Sequence, residues 1–320
     1  MSSSASGQNG LLEDLLSYSN LVHAIAGATG SVVGMSTFYP LDIVRTRFQA
    51  DEKLKAVGPL QAMKKLADEE GVEALYRGLG PVLTSLYCSN FVYFYSFNGM
   101  KMIANSNGLK ASVGRDLVLG YVAGCINAMM TTPLWVTNTR LKLQGVLKDE
   151  AGEQPEKKFN GLIDGMRKIA KEEGVHALWN GVEASFILSG NPAIHFMVYE
   201  ALKRVVLKAR GARGKTATLS SFESFVIGGF AKAVATVITY PLQLIQCRLR
   251  AKRRSNDGSG SMSSVLEEVL RTSGFNGLYK GMESKLYQTV LTASLMFLSY
   301  EKIMALIYTV FKVHQKSKKP

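Results

Sequence analysis

An eight-residue pattern turning on a proline occurs three times in this chain: Pro40-Leu41-Asp42-Ile43-Val44-Arg45-Thr46-Arg47, Pro133-Leu134-Trp135-Val136-Thr137-Asn138-Thr139-Arg140 and Pro241-Leu242-Gln243-Leu244-Ile245-Gln246-Cys247-Arg248. A second marker follows each: Glu70-Gly71 with Tyr76-Arg77-Gly78, Glu173-Gly174 with Trp179-Asn180-Gly181, and Ser273-Gly274 with Tyr279-Lys280-Gly281. The two glycines of a marker are always seven residues apart, whereas successive prolines lie 93 and 108 residues apart, so length varies in the connections and not in the units. A unit this long exceeds the roughly 20–50-residue period of solenoids and propellers. It fits a pair of long helices with a connector.

Six stretches contain no Asp, Glu, Lys or Arg: residues 24–41, 78–100, 117–139, 184–199, 233–247 and 286–300, two in each unit. The apolar core of a bilayer takes about 20 residues of helix, and several of these runs reach or approach that length. A mean hydropathy just above zero is low for a membrane protein, and a water-soluble helical repeat is the alternative. The runs are rich in Gly, Ser, Thr, Asn and Tyr, which suits helices with lipid on one side and a wet cavity on the other. The expected fold is therefore an all-α membrane protein with six transmembrane helices in three pseudosymmetric repeats and short interfacial helices. The repeats are drawn at 20–106, 112–207 and 219–311, after a disordered N-terminus at 1–19 and before a basic tail at 312–320.

The net charge of +13 lies outside the runs. Lys203, Arg204, Lys208, Arg210, Arg213 and Lys215 follow the fourth run; Arg248, Arg250, Lys252, Arg253 and Arg254 follow the fifth; Lys316, Lys318 and Lys319 end the chain. Basic stripes also mark nucleic-acid binders. Clusters abutting apolar runs instead face anionic headgroups and polyanionic solutes, at about 1 kcal/mol per charge near a membrane surface. The lipid bilayer is the expected partner, and nucleic acid is not. Cys88, Cys125 and Cys247 show neither CxxC nor metal spacing, so no disulfide frame and no metal site are expected. Residues 1–20 are Ser-rich, carry Glu13 and Asp14, and resemble neither a secretory signal nor a transit peptide. His23 and His195 have no partner at metal or catalytic spacing, and no nucleophile triad or phosphate loop appears. An enzyme and a membrane scaffold are among the functions to be weighed for such a chain.

Within each unit the proline, which lacks an N–H and crowds the preceding turn, is expected to kink the first helix. Thirteen residues earlier stands a glycine, Gly27, Gly120 or Gly228, and Gly30/Gly34 and Gly120/Gly124 form small-xxx-small pairs that let helix backbones approach. An amphipathic helix is expected after each odd span, clearest at Phe159, Leu162, Ile163, Met166, Ile169 and Ala170 and at Val265, Leu266, Val269 and Leu270. It should end at the marker glycine and lie in the membrane interface. The even spans close on Phe97-Asn98-x-x-Lys101, Tyr199-Glu200-x-x-Lys203 and Tyr300-Glu301-x-x-Met304, where residues three apart share a helix face. Ordinary helix-end charge is the alternative for any single one.

Over residues 21–311 these three patterns together resemble the mitochondrial carrier family of solute transporters. The resemblance implies six-helix, alternating-access exchangers with both termini on the cytosolic side. It also implies an inner gate at Asp42, Arg45, Trp135, Asn138, Gln243 and Gln246, and an outer gate at Asn98, Lys101, Glu200, Lys203, Glu301 and Met304. Only Asp42 and Arg45 of the six inner positions are charged, so this gate is expected to be weak and exchange less obligatory than in a fully charged relative. The box at Pro133 to Val136, with Ser89 to Phe94 and Asn191 to Ile194, is most similar to the peroxisomal branch of the family, whose members move ATP/AMP, coenzyme A, FAD and NAD. Such a carrier holds no cofactor of its own, because the adenine cofactors are its cargo. The resemblance further implies the peroxisomal membrane, the import machinery for peroxisomal membrane proteins as a partner, and a monomer. A mitochondrial inner-membrane carrier of FAD, NAD, folate or pyrimidine nucleotides is the alternative. The sixth span lacks the triple-Arg, triple-Met run of ADP/ATP carriers, which disfavours that identity.

A symmetric frame that binds an asymmetric molecule must differ at equivalent positions. Nine residues before the prolines stand Ser31, Gly124 and Lys232. A lysine near the bilayer midplane costs about 2.5–3.5 kcal/mol and marks a substrate path, with snorkelling to the interface as the alternative. The resemblance implies contact points at Ser85/Leu86, Ile187/Leu188 and Gln288/Thr289, with Ile187 where nucleotide carriers have a small residue. Asn90, Asn127 and Asn191 are candidates to hydrogen-bond a base or ribose, or else are glue between helices. Tyr87 and Tyr93 are candidates to stack on a base, and Lys285 to meet a phosphate.

Overall fold

The computed structural model describes residues 32–50, 58–144, 159–209, 219–252 and 261–292, and every regular element among them is helical. The chain separates into two compact units, residues 1–39 with 287–320, and residues 40–286. In the first, residues 32–37 are helical. The main helices in chain order are α1 (Tyr39–Ala50), α2 (Pro59–Glu70), α3 (Leu79–Ser106), α4 (Val113–Lys142), α5 (Leu162–Glu172), α6 (Val182–Leu188), α7 (Asn191–Ala209), α8 (Ser221–Ala251) and α9 (Met262–Gly277). Residues 282–292 are helical again.

The two longest helices start where their sequences cap them. The Ser112 hydroxyl accepts from the Arg115 N–H at 3.1 Å ahead of α4, and Ser220 and Glu223 form a reciprocal capping box ahead of α8, which satisfies N–H groups that have no partner inside the helix. Thirty residues at 1.5 Å each give α4 about 45 Å, more than the ~30 Å hydrocarbon layer. Among the described residues α4 and α8 are the helices both long and apolar enough to cross a membrane. Residues 24–31 of the first run and 293–300 of the sixth lie outside the described residues. In the second unit α3 packs along α4 and α7 along α8.

The prolines of the second and third repeats do not interrupt their helices. Helices α4 and α8 remain helical through Pro133 and Pro241, and only near Pro40 is there a turn, at Phe38, between residues 32–37 and α1. Pro133 cannot donate to the carbonyl of Met129, and the Trp179 indole N–H supplies that bond instead at 2.8 Å. The aromatic residue of the second marker thus repairs the defect made by the first.

The fourth uncharged run is not one helix. It breaks at Ser189 and Gly190 between α6 and α7, because Pro192 has no N–H for Leu188. The chain tightens into three-residue turns, Ser189 N–H to Phe186 O at 3.2 Å and Gly190 N–H to Ile187 O at 3.1 Å. Gly124 faces this break, where a Cβ would lie 2.9 Å from the Ser189 Cβ. The close approach expected of the small residues therefore holds at Gly124. At Gly228 a Cβ would meet nothing within 4 Å among the described residues, and the Gly228 carbonyl lies 3.2 Å from His195 Nε2. Gly27 and Gly30 lie outside the described residues.

The second marker repeats in backbone as well as in sequence. Gly78, Gly181 and Gly281 have φ of 80°, 79° and 80°, in the left-handed region that side chains disfavour. A Cβ at Gly181 would also meet the Leu249 Cβ at 3.2 Å and the Gln246 carbonyl at 3.3 Å. Helix α2 ends against Gly71, α5 ends just before Gly174, and α9 breaks its helical geometry at Gly274. The amphipathic faces pack as their spacing predicts. Val265 and Val269 of α9 join Tyr240, Leu244, Ile245 and Leu249 of α8, and Ile169 of α5 joins Val136 of α4 with Ala177 and Leu178. Each such aliphatic side chain contributes about 2 kcal/mol on burial. Beside these buried positions Leu60, Ile163, Leu266 and Leu270 are exposed, so the apolar side of each helix is only partly covered.

Candidate gate and cargo site

Arg47, Arg140 and Arg248 occupy one position of the repeat and are all buried. Arg47 grips Glu70 through both oxygens, at 2.5 and 3.0 Å, and Arg140 grips Glu173 in the same two-pronged way. The hydrogen bond from Arg47, helped by the charges of Arg47 and Arg77, outweighs burial and holds the Glu70 carboxyl below its ordinary range. The third repeat has Ser273 in place of the acid. Arginines then cross between repeats. Arg77 donates to Gln144 O at 2.5 Å, Arg140 to Arg250 O at 3.1 Å and Lys252 O at 3.0 Å, and Arg248 to Gln49 O at 2.9 Å. Each carbonyl lies at the C-terminal end of an odd helix, where carbonyls lack partners and the helix dipole favours a cation. The first repeat holds the second, the second the third, and the third the first.

At the inner gate Asp42 is buried. One oxygen faces Arg45 at 3.4 Å, and Arg45 reaches on to Gln243 Oε1 at 3.4 Å. The other oxygen takes a bond from Lys142, itself only 7% exposed. Asn138 turns away and donates to Ser85 Oγ at 2.6 Å. Gln246 donates to Ser185 Oγ at 2.8 Å, joined there by Arg250 at 3.2 Å. A lysine outside the six positions meets Asp42 here and supplies a cation where Asn138 has none. The signal was present in the sequence. Lys142 stands four residues after Asn138, one helical turn along the same face.

The outer positions are arranged differently. Lys203 pairs with Glu200 of its own helix at 3.2 Å. Lys101 reaches Asp116 of α4 at 3.4 Å, its ammonium 5.7 Å from the Phe97 ring centre. Asn98 is exposed. Among the described residues these groups are not joined to one another, and Glu301 and Met304 lie outside them.

The structure divides the cargo candidates. Lys232 is exposed, and its ammonium has no hydrogen bond or ion pair among the described residues. Asn90 and Ile187 are exposed, and Leu86 and Leu188 are half-buried, Leu188 at the end of α6 beside the break. Ser85 is buried and given over to Asn138. Asn127 exchanges hydrogen bonds with Ser89 at 2.9 and 3.1 Å, and Asn191 donates to Thr239 at 2.9 Å, so both act as joints between helices. Tyr93 stacks on Phe97 with ring centres 6.2 Å apart, whereas Tyr87 is exposed. Gln288 is buried and Thr289 half-buried, in the unit that holds residues 287–320. Lys285 interacts electrostatically with Arg45, Asp42, Lys232 and Lys142.

A family model described as mitochondrial carrier protein matches residues 17–108, 109–210 and 217–311. The chain is 49% identical over 306 residues to peroxisomal membrane protein PMP34 of Mus musculus, covering 93% of this chain and 97% of that one. It is 31% identical over 316 residues to a peroxisomal nicotinamide adenine dinucleotide carrier of Arabidopsis thaliana, covering 89% and 95%. With peroxisomal adenine nucleotide carrier 1 of the same plant it shares 28% over 301 residues, 88% and 89% of the two chains.

Proposed function

Because this chain belongs to the mitochondrial carrier family, we propose that it is a multi-pass transporter of the peroxisomal membrane that moves adenine-containing nucleotides and cofactors by alternating access. Its cargo leaves chemically unchanged. Relatives named for NAD and for adenine nucleotides both carry an adenosine phosphate, and Lys232 is the feature of this chain that suits such cargo, an ammonium without a hydrogen bond or ion pair among the described residues, within a helix apolar enough to span the bilayer. Leu86, Asn90, Ile187 and Leu188 are proposed to meet the cargo, with Ser85, Asn127 and Asn191 holding the helices that present them, and Gln288 and Thr289 are proposed as contact points from their position in the third repeat. The state seen has the inner pairs of Asp42 made and the described outer groups apart. The chain is proposed to work as a monomer inserted by the machinery for peroxisomal membrane proteins.

Uptake by purified protein in liposomes, offered AMP, ATP, coenzyme A, FAD, NAD and dicarboxylates, tests the cargo class. Adenine compounds should enter and dicarboxylates should not; the reverse result discards the reading. Lys232→Ala should lower uptake, and an unchanged rate would favour a scaffold.

A further inference from the structure

Three of the inner positions carry an amide in place of a charge, and each amide meets a hydroxyl. Asn138 of α4 donates to Ser85 Oγ of α3 at 2.6 Å, Gln246 of α8 to Ser185 Oγ of α6 at 2.8 Å, and Gln243 of α8 to Thr239 Oγ1 at 3.0 Å. All three hydroxyl residues are buried. Each also gives its own proton to the carbonyl four residues back, Ser85 to Pro81 at 2.9 Å, Ser185 to Gly181 at 3.0 Å and Thr239 to Ala235 at 2.8 Å. A hydroxyl has one proton and two acceptor sites, so these three can only accept, and the amide facing each has to present its NH2. At two of them the second acceptor site is used as well. Thr239 takes Asn191 Nδ2 of α7 at 2.9 Å, and Ser185 takes Arg250 at 3.2 Å. Every hydroxyl thus joins an odd helix to the even helix of the repeat before it: α4 to α3, α8 to α6, and α8 to α7. With its nitrogen held by Thr239, Gln243 turns its oxygen toward Arg45 at 3.4 Å.

We propose that Ser85, Ser185 and Thr239 are positioning residues of the inner gate, neutral acceptors that latch α4 and α8 to the preceding repeat and part when the gate opens. The proposal rests on the carrier reading for what opening means. Such latches differ from ion pairs in two ways. They are neutral, so salt does not screen them. Each contributes only the small net amount of one hydrogen bond, and parting an amide from a hydroxyl strands no charge. An empty chain has to part them with nothing in its site, and losing one therefore speeds uniport more than exchange.

Uptake of ATP, with NAD as a second probe, by the purified full chain in liposomes that are empty or preloaded with the same compound gives the ratio of uniport to exchange. Both rates come from one protein preparation, so a smaller folded fraction cancels in the ratio. Ser85→Ala and Ser185→Ala should each raise it about three- to tenfold, by the same factor at low and at high salt. Ser85→Thr keeps the hydroxyl and should keep the parent's ratio. Thr239→Val keeps the shape and loses the hydroxyl, so it should raise the ratio, and Thr239→Ser should restore it. Asn138→Ala should match Ser85→Ala, and the double variant should go no further, because both remove one contact. Alanine variants with the parent's ratio, or changes from Asn138→Ala and Ser85→Ala that multiply in full, overturn the proposal. Uptake with an unchanged ratio removes the latch alone, whereas a parent that takes up no adenine compound removes the carrier reading and the latch with it.

Discussion

Lys142→Met tests whether a residue outside the family's gate positions holds the gate. Breaking a buried ion pair costs about 3–5 kcal/mol when the remaining charge is left alone. Here Asp42 keeps Arg45 at 3.4 Å, so the loss should be smaller, about 2 kcal/mol. Asp42→Asn leaves Lys142 facing Arg45, two like charges without a carboxylate between them, and should cost a similar amount. The double variant removes both faults together, so the singles should sum to more than the double, with a coupling of about 1–2 kcal/mol. At about 2–4 °C per kcal/mol for a chain of this order, each single variant should unfold about 4–8 °C below the parent when tryptophan fluorescence is followed in detergent. Asn138→Ala removes a bond to Ser85 and should act independently of Asp42. Effects of Lys142→Met and Asp42→Asn that add to within about 0.5 kcal/mol, or an Asn138 variant that couples to Asp42 as strongly, would refute the assignment.

Two further outcomes follow from other contacts. Trp179→Phe keeps the ring but removes the indole N–H from the Met129 carbonyl, and should lower stability by about 1 kcal/mol, read as a small fall in unfolding temperature; no change would mean another donor serves that carbonyl. Glu70 has its folded carboxyl pKa depressed by Arg47, so its contribution is present above the ordinary glutamate range and is lost as pH falls through the lowered folded value. Glu70→Gln should flatten that part of an acid unfolding titration, and a profile unchanged from the parent would count against the pair.

The repeat architecture was legible because each marker encodes a backbone necessity. Glycines at 78, 181 and 281 adopt one φ within a degree of each other, a demand written directly in residue type. The interfacial helices were legible for a similar reason, since Val265 and Val269 bury while Leu266 and Leu270 do not. The break before Pro192 was missed because absence of charge marks a run as apolar without saying whether its carbonyls find donors. At the gate, position-by-position comparison with a family pattern assigned Asn138 and passed over Lys142. A long flexible side chain reaches across one helical turn, and motif spacing does not register reach. The asparagines were ambiguous from the start: Asn127 and Asn191 found partners on facing helices, a relation no single segment contains.

The arginine contacts that run from each repeat to the next have a mechanical meaning. Arg77, Arg140 and Arg248 link the ends of three helices into a closed circuit, so tilting one repeat by itself stretches two links at once. Movement by all three together shares the load among the links, so the circuit favours concerted displacement of the repeats over the tilting of one alone.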